Sequence, residues 1–346
     1  MNKLKMSHLE LEISNLCNEK CIHCYRQALN KKREFLLVNQ AKSALEQAKD
    51  LGADKVTISG GEALLNPEWK KIIKIANNLG FKITLLTNGT LLKETDADFL
   101  ANITQLQRVQ ISLYSIDAVV HDSITRQQGS CNKTLSAIHL LQERRISCTV
   151  VCPVMKENLY SLLDTLLWCE RNNILVSTGM FIFGTSDYSR KNLSHRLTKS
   201  DIKKLAELTM HDNGHFEYIW GTSHKRDLSQ LLFYEGATSS LCISGDGTIY
   251  PTIGWYEPLG NIKTDCLLEI FYKNSLLKRI RNYKVSDFNE CRQCINSDFC
   301  TFCCFSHITA NHGELGKIDR EWCDFIALRK QIVLDWREAK LKELES

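Results

Sequence analysis

The sequence predicts an α/β fold: a partial (β/α)6 barrel, then a cysteine-rich, loop-rich extension and a final helix. Three observations predict it. Strand-like and helix-like segments alternate from Met6 to about Phe183, and that rhythm fails beyond Thr198. Cysteine collects towards the two ends of the chain, three within Cys17–Cys24 and six within Cys291–Cys323.

His8–Ser14 alternates apolar and polar residues, the period of a half-buried strand. Val38–Leu51 sets Val38, Ala41, Leu45, Ala48 and Leu51 on one helical face, with Gly52 as its stop. Lys55–Ser59 is a second strand. Asn66-Pro67 is a helix-start pair, because asparagine caps and proline suits the first helical position, and this helix runs to Gly80. Lys82–Leu86, Val109–Leu113, Ser147–Val151 and Leu175–Phe183 supply further strands. Helices near Glu94–Asn102, Lys133–Arg144 and Leu159–Asn172 lie between them. Strands alternating with helices of this length imply βαβ units and a parallel sheet. Such repeats are too few here to close an eight-stranded barrel and enough for an open one. Next come a helix at Lys199–Met210, a loop-rich stretch Asp212–Cys242 and a glycine- and cysteine-rich region to Cys323. A last helix covers about Arg320–Leu344, charged on its outer face. The expected division is a barrel over 1–200, a linker region over 201–240 and an extension over 241–346.

Composition narrows the class. The chain has 346 residues, 43% hydrophobic and 24% charged, enough for one large ordered domain and a smaller one. Basic residues outnumber acidic ones only 44 to 40, and no basic run exceeds Lys31-Lys32-Arg33, which excludes a nucleic-acid surface. The N-terminus has no signal-peptide core, and no stretch of about 18 apolar residues offers a membrane span. A cytoplasmic location is therefore expected. Disulfides are rare there, so 15 cysteines in clusters point to metal or to chemistry.

The sharpest motif is Cys17-x-x-x-Cys21-x-x-Cys24, directly after the first strand. Three thiolates hold a 4Fe–4S cube by three irons and leave the fourth open. The loop falls at the carboxyl end of a strand, where parallel sheets bind ligands. Tyr25 follows the third cysteine, suited to pack over a cluster. The alternatives are unconnected buried cysteines or a zinc site, for which His23 is the only nearby fourth ligand. The second strand ends in Ile58-Ser59-Gly60-Gly61-Glu62. Its glycines permit close backbone approach, and its carboxylate can accept from an ammonium.

CxxxCxxC after the first strand with GGE after the second resembles the radical S-adenosylmethionine (radical SAM) superfamily. The resemblance implies that the methionine moiety of S-adenosylmethionine chelates the open iron and that Gly60, Gly61 and Glu62 meet its amine. Family members use the next strand ends for the carboxylate and ribose, positions matched here by Asn88 and Ser112. Arg126, in His121-Asp122-x4-Arg126, matches an arginine that pairs with the carboxylate. Ser112 and Arg126 suit ordinary structural work equally, and Asn88 suits a turn.

Cys291-x2-Cys294-x5-Cys300-x3-Cys304, followed by Cys323, is similar to the SPASM extension of peptide-modifying radical enzymes. The resemblance implies an outer auxiliary 4Fe–4S cluster on Cys291, Cys294, Cys300 and Cys323. For an inner one it offers Cys242 and Cys304, with Thr252 standing where a further cysteine is expected and no cysteine in Glu235–Leu241. A hydroxyl is a poor substitute for a thiolate. One complete auxiliary cluster is therefore expected, with Cys242 and Cys304 as tentative ligands only. On spacing alone, zinc remains the alternative for this set. Cys131, Cys148, Cys152, Cys169, Cys266 and Cys303 have no cluster, and free cysteine is usually a small core residue. Cys152 ends the fifth strand, towards the expected mouth of the barrel, and the resemblance to peptide epimerases of this class makes it a candidate hydrogen-atom donor to a substrate radical.

The resemblance spans Leu11 to Cys323. It implies reductive cleavage of S-adenosylmethionine and abstraction of a substrate hydrogen atom by the 5′-deoxyadenosyl radical. The implied substrate is a ribosomal precursor peptide or protein, and the outcome a crosslink, an epimerisation or a side-chain oxidation. A flavodoxin or ferredoxin would supply the electron. The chain starts almost at its first strand, so a leader peptide is expected to bind the barrel directly or through a separate recognition protein. The alternatives are a radical SAM enzyme acting on a small molecule and an iron–sulfur electron-transfer protein that binds no nucleotide.

Overall fold

The computed structural model describes residues 4–26, 33–209 and 238–345. β1 (His8–Glu12), β2 (Lys55–Ser59), β3 (Lys82–Thr87), β4 (Leu106–Ser112), β5 (Cys148–Pro153) and β6 (Leu175–Gly179) lie side by side in chain order. Every neighbouring pair among them is parallel. The connections carry α1 (Val38–Asp50), α2 (Trp69–Asn78), α3 (Glu94–Ala101), α4 (Ala118–Thr125), α5 (Ser130–Glu143) and α6 (Leu162–Arg171).

The strand register explains the alternation in the sequence. Leu11, Ile58, Leu85 and Val109 stand opposite one another across four strands and are fully buried. They share one apolar core with Ala41, Leu45 and Ala48 of α1. The opposite face carries Glu10, Thr57, Thr84 and Arg108 in one row and Leu86, Gln110 and Thr149 in another. Aliphatic residues thus seat the helices, and the other face of the barrel is polar.

Several boundaries differ from expectation for visible reasons. α2 starts at Trp69, because Asn66 ties down the exit of β1 instead of opening the helix. Its Nδ2 donates to the carbonyls of Ile13 (2.8 Å) and Leu36 (3.0 Å), and its Oδ1 accepts from Glu68 N–H (2.9 Å). β6 stops at Gly179, not at Phe183. α4 is an element the sequence reading did not contain; Asp117 caps it by accepting from Val119 N–H at 2.8 Å.

The largest difference lies beyond residue 238. β7 (Ser240–Ile243) joins the free edge of β1 in parallel, and β8 (Thr248–Tyr250) and β9 (Gly260–Asn261) follow antiparallel. The sheet therefore has nine strands in the order β6-β5-β4-β3-β2-β1-β7-β8-β9. Leu241, Ile243, Ile249 and Trp255 belong to the same core as Leu9 and Ile58, so the core runs across the expected division. Most of the expected linker, and Met210 of the helix expected over Lys199–Met210, lie outside the described residues. That helix, α7, is described over Lys199–Thr209. The extension continues through α8 (Leu267–Lys273), α9 (Ser275–Asn282), α10 (Asn289–Arg292), α11 (Cys304–Ala310) and α12 (Arg320–Glu345). Under α12 a second apolar cluster gathers Phe299, Trp322, Phe325, Ile326, Val333 and Trp336.

Candidate active site

The three-cysteine loop is held from two sides by backbone hydrogen bonds. On one side, Gly61 N–H donates to Ser14 (2.8 Å) and Glu62 N–H to Leu16 (2.7 Å). A Cβ on Gly60 would lie 2.6 Å from the Ser14 carbonyl, and one on Gly61 would overlap the Leu16 carbonyl. Both positions therefore require glycine, and the close approach they permit is to the strand exit that carries Cys17. On the other side, Lys20 N–H donates to Thr125 (2.9 Å) and Ile22 N–H to Ile124 (2.9 Å), at the end of α4. The thiols are thus fixed at the carboxyl ends of the strands, over the polar face.

Glu62 is buried, and its carboxylate accepts from Leu64 N–H (3.0 Å), Thr87 Oγ1 (2.7 Å) and Asn88 N–H (2.8 Å). A carboxylate has about four acceptor positions, so one remains for an incoming ammonium. Besides any ligand contact, Glu62 ties β2 to β3. Replacing it by alanine strands three donors, and each costs about 1–3 kcal/mol when buried and unpaired. We expect Glu62→Ala to lower stability by about 3 kcal/mol while the thiols still bind iron. Iron analysis alongside denaturant unfolding checks this, and an unaltered unfolding midpoint would contradict the tie.

Asn88 is both a turn residue and a neighbour of the thiols. Its Oδ1 accepts from Thr90 N–H at 3.0 Å, and its Nδ2 donates to Asn18 Oδ1 at 3.0 Å and points at Cys17 Sγ at 4.0 Å. Ser112 ends β4, and its hydroxyl meets Tyr114, whose own hydroxyl lies 3.8 Å from Cys21 Sγ. Arg126 follows the two residues that clamp the loop, in a left-handed conformation (φ 53°), with an exposed side chain. The structure thus brings Gly60, Gly61, Glu62 and Asn88 around one loop, links Ser112 to it through Tyr114, and sets Arg126 next to the clamping residues with its side chain exposed. Tyr114, Asn18 and Glu19 were missed by the sequence reading. The only signal for Tyr114 was its place in the segment that follows β4.

The electrostatics fit a cationic group among the thiols. Burial pushes the Cys17 thiol up to about 12, and the nearby Glu62, Glu19 and Cys24 add to the rise. Burial raises Cys21 well above its usual value, again with Glu19, Cys24 and Cys17 contributing. Glu19 itself is pushed up to about 7 by burial. The opposed ionisation of Cys17 and Cys21 beside the Glu19 and Glu62 carboxyls is relieved by bound iron, which deprotonates thiols outright. Among the described residues no three His, Cys, Asp or Glu side chains close on a single ion. His23, the fourth ligand a zinc site would need, instead stacks edge-on against Tyr114 with ring centroids 4.9 Å apart. Tyr25 lies near Glu12, Arg26, Cys24 and Cys242.

In the extension, Cys291, Cys294, Cys300 and Cys323 line one small cavity together with His307 and Trp322. Burial pushes Cys291 up to about 12, with Cys300, Cys323 and Cys294 adding, and Cys323 up to about 11. The donor set suits a second 4Fe–4S cluster. Two of its lining residues carry buried ring nitrogens with no hydrogen-bond partner, His307 Nε2 and Trp322 Nε1.

The inner position looks different. Thr252 is fully buried, and its hydroxyl donates to Glu10 Oε2 (3.0 Å), as does Ile253 N–H (2.6 Å). Cys242, also fully buried, lies against Glu12, which pairs with Arg26 Nε (3.1 Å) and accepts from the Tyr256 hydroxyl (2.8 Å). Cys304 starts α11 beside Cys303. Cys152 pairs in register with Thr178, one step from the lumen-facing row, and joins the core packed by helices. It has no solvent exposure, and its thiol donates to the Tyr114 carbonyl at 3.5 Å. A hydrogen-donor role would need the substrate to reach that buried thiol.

A sequence model of the radical SAM superfamily matches residues 11–169. The chain is 25% identical over 319 residues to the antilisterial bacteriocin subtilosin biosynthesis protein AlbA of Bacillus subtilis, covering 88% of this chain and 68% of AlbA. It is 23% identical over 275 residues to the sporulation killing factor maturation protein SkfB of the same organism, covering 75% of this chain and 63% of SkfB. The chain thus spans about two thirds of the length of these relatives. Its fold is similar to that of Streptococcus suis SuiB bound to the precursor peptide SuiA, with a TM-score of 0.72, 19% identity, and 91% and 76% of the two chains covered. The three-cysteine loop, the glycine pair that seats it and strands β2 to β5 all lie in the matched segment, and residues 11–169 are a radical SAM domain.

Proposed function

We propose that this chain is a maturase that removes a hydrogen atom from a ribosomally made precursor peptide. The observation that carries the reading is the double clamp on the Cys17–Cys24 loop, which fixes three thiols over a polar barrel face. The superfamily uses a 4Fe–4S cluster and S-adenosylmethionine, here on Cys17, Cys21 and Cys24 and against Gly60, Gly61, Glu62, Asn88, Ser112 and Arg126. When bound, these cofactors supply one-electron cleavage of the sulfonium and abstraction of a hydrogen atom.

The protein supplies the rest. Glu62 offers its remaining acceptor position to the methionine amine, and Arg126 offers an exposed guanidinium to the carboxylate. Tyr114 and Asn88 direct donors at two of the thiol sulfurs. An auxiliary 4Fe–4S cluster sits on Cys291, Cys294, Cys300 and Cys323. A flavodoxin or ferredoxin delivers the electron, and the leader binds the barrel or a separate recognition protein. The peptide substrate is supported by the relatives named for bacteriocin biosynthesis and killing-factor maturation. Among the described residues no helix is long and apolar enough to cross a membrane.

The test uses anaerobically reconstituted protein with dithionite, S-adenosylmethionine and the short peptides encoded beside its gene. The expected result is 5′-deoxyadenosine together with a peptide that has lost two hydrogens or taken up solvent deuterium. Nucleoside formation with no change in any peptide would turn the reading to a small-molecule substrate. Absence of the nucleoside would leave only an electron-transfer protein.

A further inference from the structure

The cavity of the extension has more polar chemistry than four thiols. His307 is 2% exposed, and its Nδ1 accepts the Asp319 backbone N–H at 2.6 Å. A ring nitrogen that accepts carries no proton, so the proton of the neutral imidazole is on Nε2. That Nε2–H is buried and has no partner. The ring is held from its face by Phe302, centroids 4.3 Å apart, and from behind by Asp319, which also accepts from Ser306 Oγ. Trp322 is 8% exposed, wedged between Phe181 and Phe325 at 4.9 and 5.4 Å, and its Nε1–H is likewise buried without a partner.

Both side chains line the cavity that Cys291, Cys294, Cys300 and Cys323 share. Buried donors left unpaired are rare in native proteins and call for an explanation. An anionic cluster whose sulfurs and thiolates accept hydrogen bonds would satisfy both donors at once. A donor on a cluster sulfur stabilises the reduced, more negative state more than the oxidised one and so raises the reduction potential.

We propose that His307 Nε2–H and Trp322 Nε1–H are hydrogen-bond donors to the sulfurs of the auxiliary 4Fe–4S cluster and set its reduction potential. This rests on the auxiliary cluster of the proposed function. Neither residue is a ligand; each acts on the iron through sulfur. Trp322→Phe deletes one N–H while keeping a ring between Phe181 and Phe325, so it removes the donor with little else. His307→Phe also strands the Asp319 N–H, and the tryptophan variant therefore guards against a folding artefact.

The experiment is an anaerobic redox titration followed by electron paramagnetic resonance. It is run on the full chain with Cys17, Cys21 and Cys24 all changed to alanine, so that only the auxiliary cluster reports. The parent should hold about four irons. Trp322→Phe should keep them and shift the oxidised-to-reduced ratio about tenfold towards oxidised, about 59 mV for a one-electron couple. His307→Phe should act in the same direction, and the double variant should shift further. Iron retained with an unmoved potential in both single variants would overturn the proposal. So would loss of the cluster in His307→Phe with no shift in Trp322→Phe, because histidine would then be a ligand. A parent without iron would remove the auxiliary cluster itself, and the donors' role with it.

Discussion

Changing Cys17, Cys21 or Cys24 to alanine, one at a time, is expected to reduce 5′-deoxyadenosine formation to the level of iron-free protein. Each thiol holds one iron, and two thiolates do not retain a cube with an open fourth site. The effect should be chemical and not structural. All three cysteines are half-buried, and the loop is carried by backbone bonds from Gly61, Glu62, Lys20 and Ile22 that alanine leaves intact. Loss of one sulfur should therefore cost about 1 kcal/mol or less in unfolding free energy. The measurement pairs nucleoside yield with denaturant unfolding and iron content. Undiminished cleavage in any of the three variants would remove Cys17–Cys24 as the cluster site.

How much of this was legible in the sequence depended on range. The spacing of Cys17, Cys21 and Cys24 encodes its own geometry, because one short loop brings the three thiols together. The four outer thiols were legible for a weaker reason: three come from one ten-residue stretch, Cys291–Cys300, and Cys323 was supplied by the family pattern. The need for glycine at Gly60 and Gly61 was legible, but its object was not. It is the carbonyls of Ser14 and Leu16, reached only once β1 and β2 pair. Tyr114 lies 93 residues from the Cys21 thiol it faces, and nothing local in Leu113-Tyr114-Ser115 announces that contact. β7 was lost because Ser240–Ile243 is four residues long and gains its strand character from β1. α4 was lost because its apolar residues, Ala118, Val119, Val120 and Ile124, are mostly bunched at its start and too few to set a period. His307 and Trp322 read as ordinary aromatic residues until α11 and α12 place them on one cavity wall.

Iron content should distinguish one auxiliary cluster from two. With clusters on Cys17–Cys24 and on Cys291, Cys294, Cys300 and Cys323, the reconstituted chain should hold about eight irons. The Cys17/Cys21/Cys24 triple alanine variant should keep about four. The double variant Cys242→Ala/Cys304→Ala should leave the total unchanged. Thr252 occupies the position of the missing ligand and is already committed to Glu10, which Ile253 also holds. Burial, with Glu12 adding, pushes Glu10 up to about 7, so this corner already resists negative charge. Cys242 lies against Glu12, and burial raises its thiol well above the usual value. A cluster bound by thiolates would bring further negative charge beside two buried carboxylates balanced only in part by Arg26, an arrangement with a steep desolvation cost. The double variant should instead lose packing, because Cys242 and Cys304 are 0% and 2% exposed, at about 1 kcal/mol or more of stability. A wild-type value near twelve irons, falling by four in the double variant, would mean that Glu10 and Glu12 yield to a third cluster with an unusual ligand set.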